Sequence, residues 1–258
     1  SHLFQELLPR DKGRAVINID DVYGRRLAAM LPSALTCGHH EDADIHPESS
    51  EISLTGIRGS VSTPLGAVAV DSPVLGDVNV ENLLSAIGSA VALNLSPRVI
   101  TAGISAAKGV PGRLEQVEND RGAVILVDYA HTGDALRRVL EALEKLSPQR
   151  ILTLFGCGGD RDRSKRPIMA EVAARGSDIA IATSDNPRTE NPQQILDDVR
   201  VGLARVHERE WSRADAMVDT GRGYVVIEDR RKALEFAVSL LRRGDLLLVA
   251  GTGHEDSQ

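Results

Sequence analysis

Four polar strings in this chain of 258 residues combine side chains able to hold small charged molecules. The longest, Gly156-Cys157-Gly158-Gly159-Asp160-Arg161-Asp162-Arg163-Ser164-Lys165-Arg166-Pro167, sets glycines before a run of charges. Glycines let a backbone turn tightly and approach a ligand, and a helix that follows offers its unpaired N–H groups to an anion. Cations beside those groups favour a carboxylate or phosphate; a solvated charged loop is the plainer alternative. Counting G-x-G-x-x-G from Gly156 puts Arg161 at the third glycine, which speaks against a dinucleotide fingerprint and so against a nicotinamide-dependent oxidoreductase. The second string, Thr183 to Pro192, offers an acid, an amide and an arginine around Pro187, which stiffens the turn. Asp185 suits an ammonium, Asn186 either polar end of an amino acid, and Arg188 a carboxylate in bidentate geometry. The same residues equally describe a polar loop entering a helix capped near Asn191.

The third string, Asp128 to Asp134, turns from an apolar run into a helical pattern. Asp128 can accept from a ribose diol, or be a turn residue beside an exposed His131 and a Thr132 N-cap. The fourth, Gly251 to Asp256, ends the last apolar run; Glu255 can hold a second ammonium or begin a helix. Earlier in the chain Asn79 and Asn82 lie three apart and share a helix face, where Asn79 can read a base edge or cap the helix. His39-His40-Glu41-Asp42-Ala43-Asp44-Ile45-His46 has the composition of a metal site but no i, i+4 histidine pair on a helix. It is read as a solvated loop, and neither a metal site nor a catalytic side chain is assigned.

These strings need a scaffold, and the apolar runs supply one. Val124 to Val127, Ile151 to Phe155, Ile179 to Ala182, Tyr224 to Ile227 and Leu246 to Val249 alternate with helical stretches, clearest at Asp134 to Leu146 and Arg230 to Arg243. That rhythm predicts an α/β domain, a parallel sheet with helices on both faces. Ligands gather at the carboxyl ends of such strands, and the polar strings follow the runs. Upstream, Ala15 to Ile19 reads as a strand, the stretch to Met30 as a helix, and Ser33 to Ser72 as short antiparallel strands. A helix is expected from about Val78 to Leu93, with Leu83, Leu84, Ile87 and Val91 on one face, and another between Ser96 and Lys108, opened by Pro97. Turn formers at Lys108 to Gly112 mark a domain boundary.

Hydrophobic content of 42% and charged content of 26% are those of an ordinary globular protein. A net charge of -7 with 3% aromatic residues argues against nucleic acid as a partner and leaves small molecules. Cys37 and Cys157 form no CxxC pair, as in a reduced cytosolic chain. No apolar run approaches the roughly 20 residues that span a bilayer, and no signal segment opens the chain. A cytoplasmic monomer with no membrane partner is expected.

In order, the strings NIDDVYGRRLA (18 to 28), GDVNVENLLSAI (76 to 87), PGRLE (111 to 115), VDYAHTGDAL (127 to 136), FGCGGDRDRSKRP (155 to 167), TSDNPRTENP (183 to 192) and VAGTGHEDSQ (249 to 258) resemble the Mur ligases, and within them the diaminopimelate-adding branch. The resemblance implies residues 1–110 as the latter part of an α/β ATP-binding central domain and 111–258 as a Rossmann-like amino-acid-binding domain. It implies that Arg161, Asp185, Asn186, Pro187 and Arg188 recognise meso-diaminopimelate, with Gly251 and Glu255 completing the pocket. It puts Asn79 near adenine, Arg113 near the nucleotide and Asp128 at the ribose, with His131 beside it. ATP and Mg2+ are the implied cofactors, and UDP-N-acetylmuramoyl-L-alanyl-D-glutamate is the acceptor. ATP would phosphorylate its glutamate side-chain carboxylate, and the amine of diaminopimelate would attack the acyl phosphate. Lysine-adding members do not keep the arginine motif, so Arg188 favours diaminopimelate.

The chain departs from the family pattern in four places. It holds no Gly-Lys dipeptide and therefore no G-x-x-x-x-G-K-[ST] phosphate loop. Thr252 stands where the family usually has lysine, Gly133 where it has proline, and Val78 where it has phenylalanine. A fragment at both ends, without turnover of its own, is the expectation. The competing function is a non-catalytic module that holds an amino acid or nucleotide in the same pocket.

Overall fold

Two compact units, Ser1–Lys108 and Gly109–Gln258, make up the chain, and the computed structural model describes residues 15–251. In the first unit, β1 (Val16–Asn18) leads into α1 (Val22–Met30), closed by the Asp21 carboxylate, which accepts from the Tyr23 and Gly24 N–H groups at 2.6 and 3.0 Å. β2 (Leu35–Cys37) then pairs in parallel with β1. The expectation of antiparallel strands throughout Ser33 to Ser72 is therefore corrected at its start. A helix separates the two strands, and a crossover of that length returns the chain in the same direction, whereas a tight hairpin would reverse it.

From there the antiparallel pattern holds, with β3 (His46–Ser53), β4 (Gly56–Ser62) and β5 (Val68–Ser72) forming a meander. α2 (Asp77–Ala92) buries Val80, Leu84, Ile87 and Val91, a stripe at helical spacing, against Ile57, Val61, Val68 and Val70 of the meander. Ile100 and Ile104 of α3 (Pro97–Ala106) complete this core, and Pro97 occupies the first turn, where its missing N–H costs nothing. The histidine-rich segment ties the loop after β2 to its surroundings. Asp20 accepts from the His39 N–H at 2.9 Å and lies 2.8 Å from its Nδ1, while Asp44 accepts from Thr36 N and Oγ1, both at 2.8 Å. Among the described residues no group of three or more His, Cys, Asp or Glu side chains is arranged to hold a metal.

The second unit is built on six strands: β6 (Glu115–Val117), β7 (Val124–Asp128), β8 (Ile151–Cys157), β9 (Ile179–Ser184), β10 (Gly223–Val226) and β11 (Leu246–Ala250). Their order is β10-β9-β8-β11-β7-β6. All neighbours are parallel except β6, an antiparallel edge. This is the α/β, mostly parallel sheet that the apolar runs predict, with β6 added. Side chains that alternate along the strands are buried on both faces. Leu152, Leu154, Ile179, Ile181, Leu247 and Val249 pack on Ala233, Phe236, Ala237 and Leu240 of α8 (Arg230–Leu240), with Ala216 of α7 (Arg213–Val218) in the same cluster. α5 (Lys165–Gly176) and α6 (Pro192–Leu203) pack on each other and on β8 and β9, and α4 (Gly133–Glu144) packs on α5. β11 returns last to lie between β8 and β7, so the loops that follow β7, β8, β9 and β11 meet in a crevice at the carboxyl ends of the strands, where ligands gather in sheets of this kind.

Candidate functional site

That crevice holds a cavity of about 460 Å3, lined by the loops that follow β7, β8, β9 and β11. Arg161, Asp185, Asn186, Arg188, His131 and Gly251 all reach it, so the structure brings together residues from four strand ends. Pro187 lies within the same loop as its neighbours. Arg113, just before β6, and Asp128, the last residue of β7, do not line the cavity. Asn79 belongs to the first unit, and Glu255 lies outside the described residues.

Arg188 is held in an unusual backbone conformation, with φ at 50°. For a residue with a Cβ this left-handed geometry costs about 1–2 kcal/mol, so the surroundings must impose it. They do so from both sides. Before Arg188, the Gly159 N–H donates to the Asn186 carbonyl at 2.8 Å. A side chain at Gly159 would place its Cβ 1.9 Å from the Pro187 carbonyl oxygen, so only glycine permits this approach. After Arg188, the Asp160 carboxylate accepts from Thr189 N at 3.2 Å and Thr189 Oγ1 at 2.8 Å, and Glu190 N donates to the Pro187 carbonyl at 3.0 Å. The Arg188 guanidinium donates from Nη1 to the Gly159 carbonyl at 2.8 Å, and the residue lines the cavity.

Behind this loop sits Arg166, only 2% exposed. Its Nη1 and Nη2 donate to Glu190 at 3.0 and 2.6 Å, and Nη1 also donates to Asp198 of α6 at 2.9 Å. A buried guanidinium is tolerable only when paired in this way. Arg166 holds the Glu190 carboxyl below the usual range, with help from the Asp160 N–H that donates to it. The Arg163 side chain, then Arg166, does the same for Asp198. The charged string after β8 is thus part of the architecture at Arg163 and Arg166, and only part of it is the solvated loop weighed from sequence. Arg161 has no hydrogen-bond or ion-pair partner among the described residues, and Lys165 also lines the cavity.

Outside the cavity lining, Arg113 lies over the ring of Tyr129, which does line it, with its guanidinium carbon 4.9 Å from the centroid. The His131 ring lies 4.7 Å from that of Tyr129, tilted by 59°. Asp128 is buried, and its two carboxylate oxygens accept from Leu114 N at 2.9 Å and Ala130 N at 2.8 Å. It performs the turn role that was one of its two readings. Thr132 caps α4 by accepting from Ala135 N at 3.2 Å, and Asn191 caps α6 by accepting from Gln193 N at 2.9 Å, as their positions predict. Asn79 is not a cap: Gly76 occupies the N-cap position, and Asn79 Nδ2 donates to the Leu75 carbonyl at 2.7 Å while its Oδ1 accepts from Asn82 at 3.0 Å.

Cys157 reaches the cavity from β8, but burial pushes its thiol up to about 12, so it is no nucleophile. Sequence reasoning missed Tyr129, Lys165, Arg166 and Glu190 as parts of the site. The signal for the last two was present, because an arginine that opens the helix after a glycine-rich turn and a glutamate just before a helix cap are a complementary pair. Nothing in their spacing says that they meet.

Cations, an acid and an amide around one cavity offer partners for both carboxylate and ammonium groups. Residues 112–253 match the family model described as Mur ligase, glutamate ligase domain, and residues 1–90 match the Mur ligase middle domain. The chain is 45% identical to the "UDP-N-acetylmuramoyl-L-alanyl-D-glutamate--2,6-diaminopimelate ligase" of Geobacter metallireducens, covering 100% of this chain and 52% of the relative. Identity to the Gloeobacter violaceus protein of the same name is also 45%, over 95% of this chain and 47% of the relative. The chain therefore spans about half the length of the curated relatives it matches. A solved structure of a ligase of that name superposes with a TM-score of 0.67 at 34% identity, covering 95% of this chain and 49% of the other. A folylpolyglutamate synthase from Thermotoga maritima shares the fold at 19% identity, with a TM-score of 0.69 over 94% of this chain and 52% of the other. By the extent of these matches, the chain belongs to the Mur ligase family.

Proposed function

We propose that the second unit binds meso-diaminopimelate, and that the chain is part of an ATP-dependent ligase that joins this amino acid to UDP-N-acetylmuramoyl-L-alanyl-D-glutamate in peptidoglycan precursor synthesis. The observation that carries it is the convergence of Arg161, Arg188 and Asp185 on one cavity at the carboxyl ends of the sheet. Diaminopimelate differs from lysine by a second carboxylate at its far end. Desolvating that group is costly unless a cation meets it, and Arg188, which lines the cavity, is that cation. Asp185 and Asn186 suit the ammonium at the same end, and Gly251 leaves them room, since a Cβ there would lie 3.1 Å from Asp185 Oδ2.

For the nucleotide, Arg113, Tyr129 and His131 supply a stacking surface and cationic donors, which fits a base or phosphate. Bound ATP would supply the activation of the acceptor carboxylate. Asp128 fits less simply, because both its oxygens already accept main-chain bonds. The described residues offer no cluster of His, Cys, Asp or Glu side chains for Mg2+. Small-molecule substrates and a cytoplasmic setting follow from the same reading; among the described residues no helix is long and apolar enough to cross a membrane.

Calorimetry tests the amino-acid assignment. A charge-assisted pair contributes about 1.5–3 kcal/mol, so meso-diaminopimelate should bind roughly 10- to 100-fold more tightly than L-lysine. Arg188→Ala should reduce that preference to a few-fold. Equal affinity for the two amino acids in the unaltered chain would instead favour a generic binding module.

A further inference from the structure

The loops that carry the cavity side chains are tied to one another by Asp160 and Glu190, which do not line it, and by Arg166, which does. We propose that Asp160 is a positioning residue for Arg188, backed by the Arg166–Glu190 pair, and that selectivity for the distal carboxylate depends on it. The proposal rests on the reading of Arg188 given above. Asp160 itself has φ at 53°, so two left-handed residues on neighbouring loops face one another. They are tied together in both directions. The Asp160 carboxylate takes the N–H and hydroxyl of Thr189, the residue after Arg188, while the Asp160 N–H donates to Glu190 Oε1 at 2.5 Å. That same oxygen accepts from Arg166 Nη2, and Arg166 reaches Asp198 on α6, which anchors the assembly to a helix of the unit's core. The loop carrying Arg188 is therefore clamped on its far side by Asp160 and Glu190 and on its near side by Gly159.

A guanidinium recognises a carboxylate bidentately only when its plane is fixed, and a displacement of about 1 Å is enough to lose that geometry. Arg188 is on an exposed loop, where side-chain packing alone would leave it free. The Asp160–Thr189 bonds supply the missing constraint. Arg161 follows Asp160 directly, so the same residue also sets where the second cavity arginine begins.

Asp160→Gly separates this role from backbone strain, because glycine adopts the left-handed conformation without penalty yet removes both bonds to Thr189. Calorimetry on the 258-residue chain should then show meso-diaminopimelate binding weakened about 10-fold while L-lysine binding changes less than about 2-fold. Asp160→Asn, which keeps one acceptor and tolerates the same backbone, should restore most of the preference. Thr189→Val removes only the hydroxyl bond and should lower the preference partway, with Thr189→Ser unchanged; this pair decides the matter if Asp160→Gly does not fold. Equal weakening of both amino acids, or an undiminished preference in Asp160→Gly and Thr189→Val, overturns the proposal. Absence of any preference in the unaltered chain would instead count against the binding assignment of Arg188.

Discussion

At the scale of single residues, chemistry was legible where side chains act alone and hidden where they act in pairs. Asp185, Asn186 and Arg188 announce their capacity by type and adjacency, and the structure brings them to one cavity. Arg166 does not, because its partners Glu190 and Asp198 lie 24 and 32 residues away and meet it only through the packing of α5 on α6. Asp128 shows the opposite case, in which a residue fit for a ligand is committed to the main chain. Asp128→Ala leaves two buried N–H groups without an acceptor and should destabilise the unit by roughly 2–4 kcal/mol, read from urea unfolding. A variant as stable as the original would show that these bonds contribute nothing. The raised thiol of Cys157 makes its own prediction. With a value near 12 in place of an ordinary 9.0, alkylation of the folded chain near neutral pH should be on the order of 1,000-fold slower than for a free thiol. Rapid labelling of Cys157 under native conditions would contradict its burial.

Among elements, the strands of the second unit were readable because each is a run of apolar residues buried on two faces. β6 was not, since its three residues are exposed and carry no apolar pattern; only pairing with β7 makes it a strand. β2 was misread in direction, because periodicity reports which face is buried and says nothing of which neighbour is parallel. Helix ends were also set by contacts beyond the pattern. α8 stops at Leu240, before the expected Arg243, where Asp245 accepts from Arg242 N at 2.8 Å and Gly244 turns with φ at 85°. The contact of α5 with α6 depends on Gly202, where an added Cβ would lie 2.0 Å from the Pro167 carbonyl oxygen. Gly202→Ala should force the helices apart and cost about 1–3 kcal/mol, lowering the thermal midpoint. Since α5 carries Arg166, meso-diaminopimelate binding should weaken in the same variant; unchanged stability and binding would show that the close approach is dispensable.

For the whole molecule, the turn formers at Lys108 to Gly112 coincide with the division into two units after Lys108. Composition shows the acidic character, a net charge of -7, but gives no hint of where charge matters for stability. Glu190, Asp198, Glu171 and Asp215 are all held below their ordinary values by arginines or main-chain donors. Groups lowered on folding contribute stability that is complete above the unfolded carboxylate range, about 4, and is lost as pH falls through the lowered folded values. The urea midpoint should therefore hold between about pH 7 and pH 5 and drop below about pH 4; a fall already complete at about pH 5 would mean that other groups govern acid stability. The central claim is that a distal carboxylate is read by arginines at the open edge of the sheet. A crystal structure of the chain with meso-diaminopimelate tests it most directly. The account predicts that carboxylate on the Arg188 guanidinium, with its neighbouring ammonium near Asp185; an amino acid seated elsewhere, or an Arg188 turned away from it, would contradict the account.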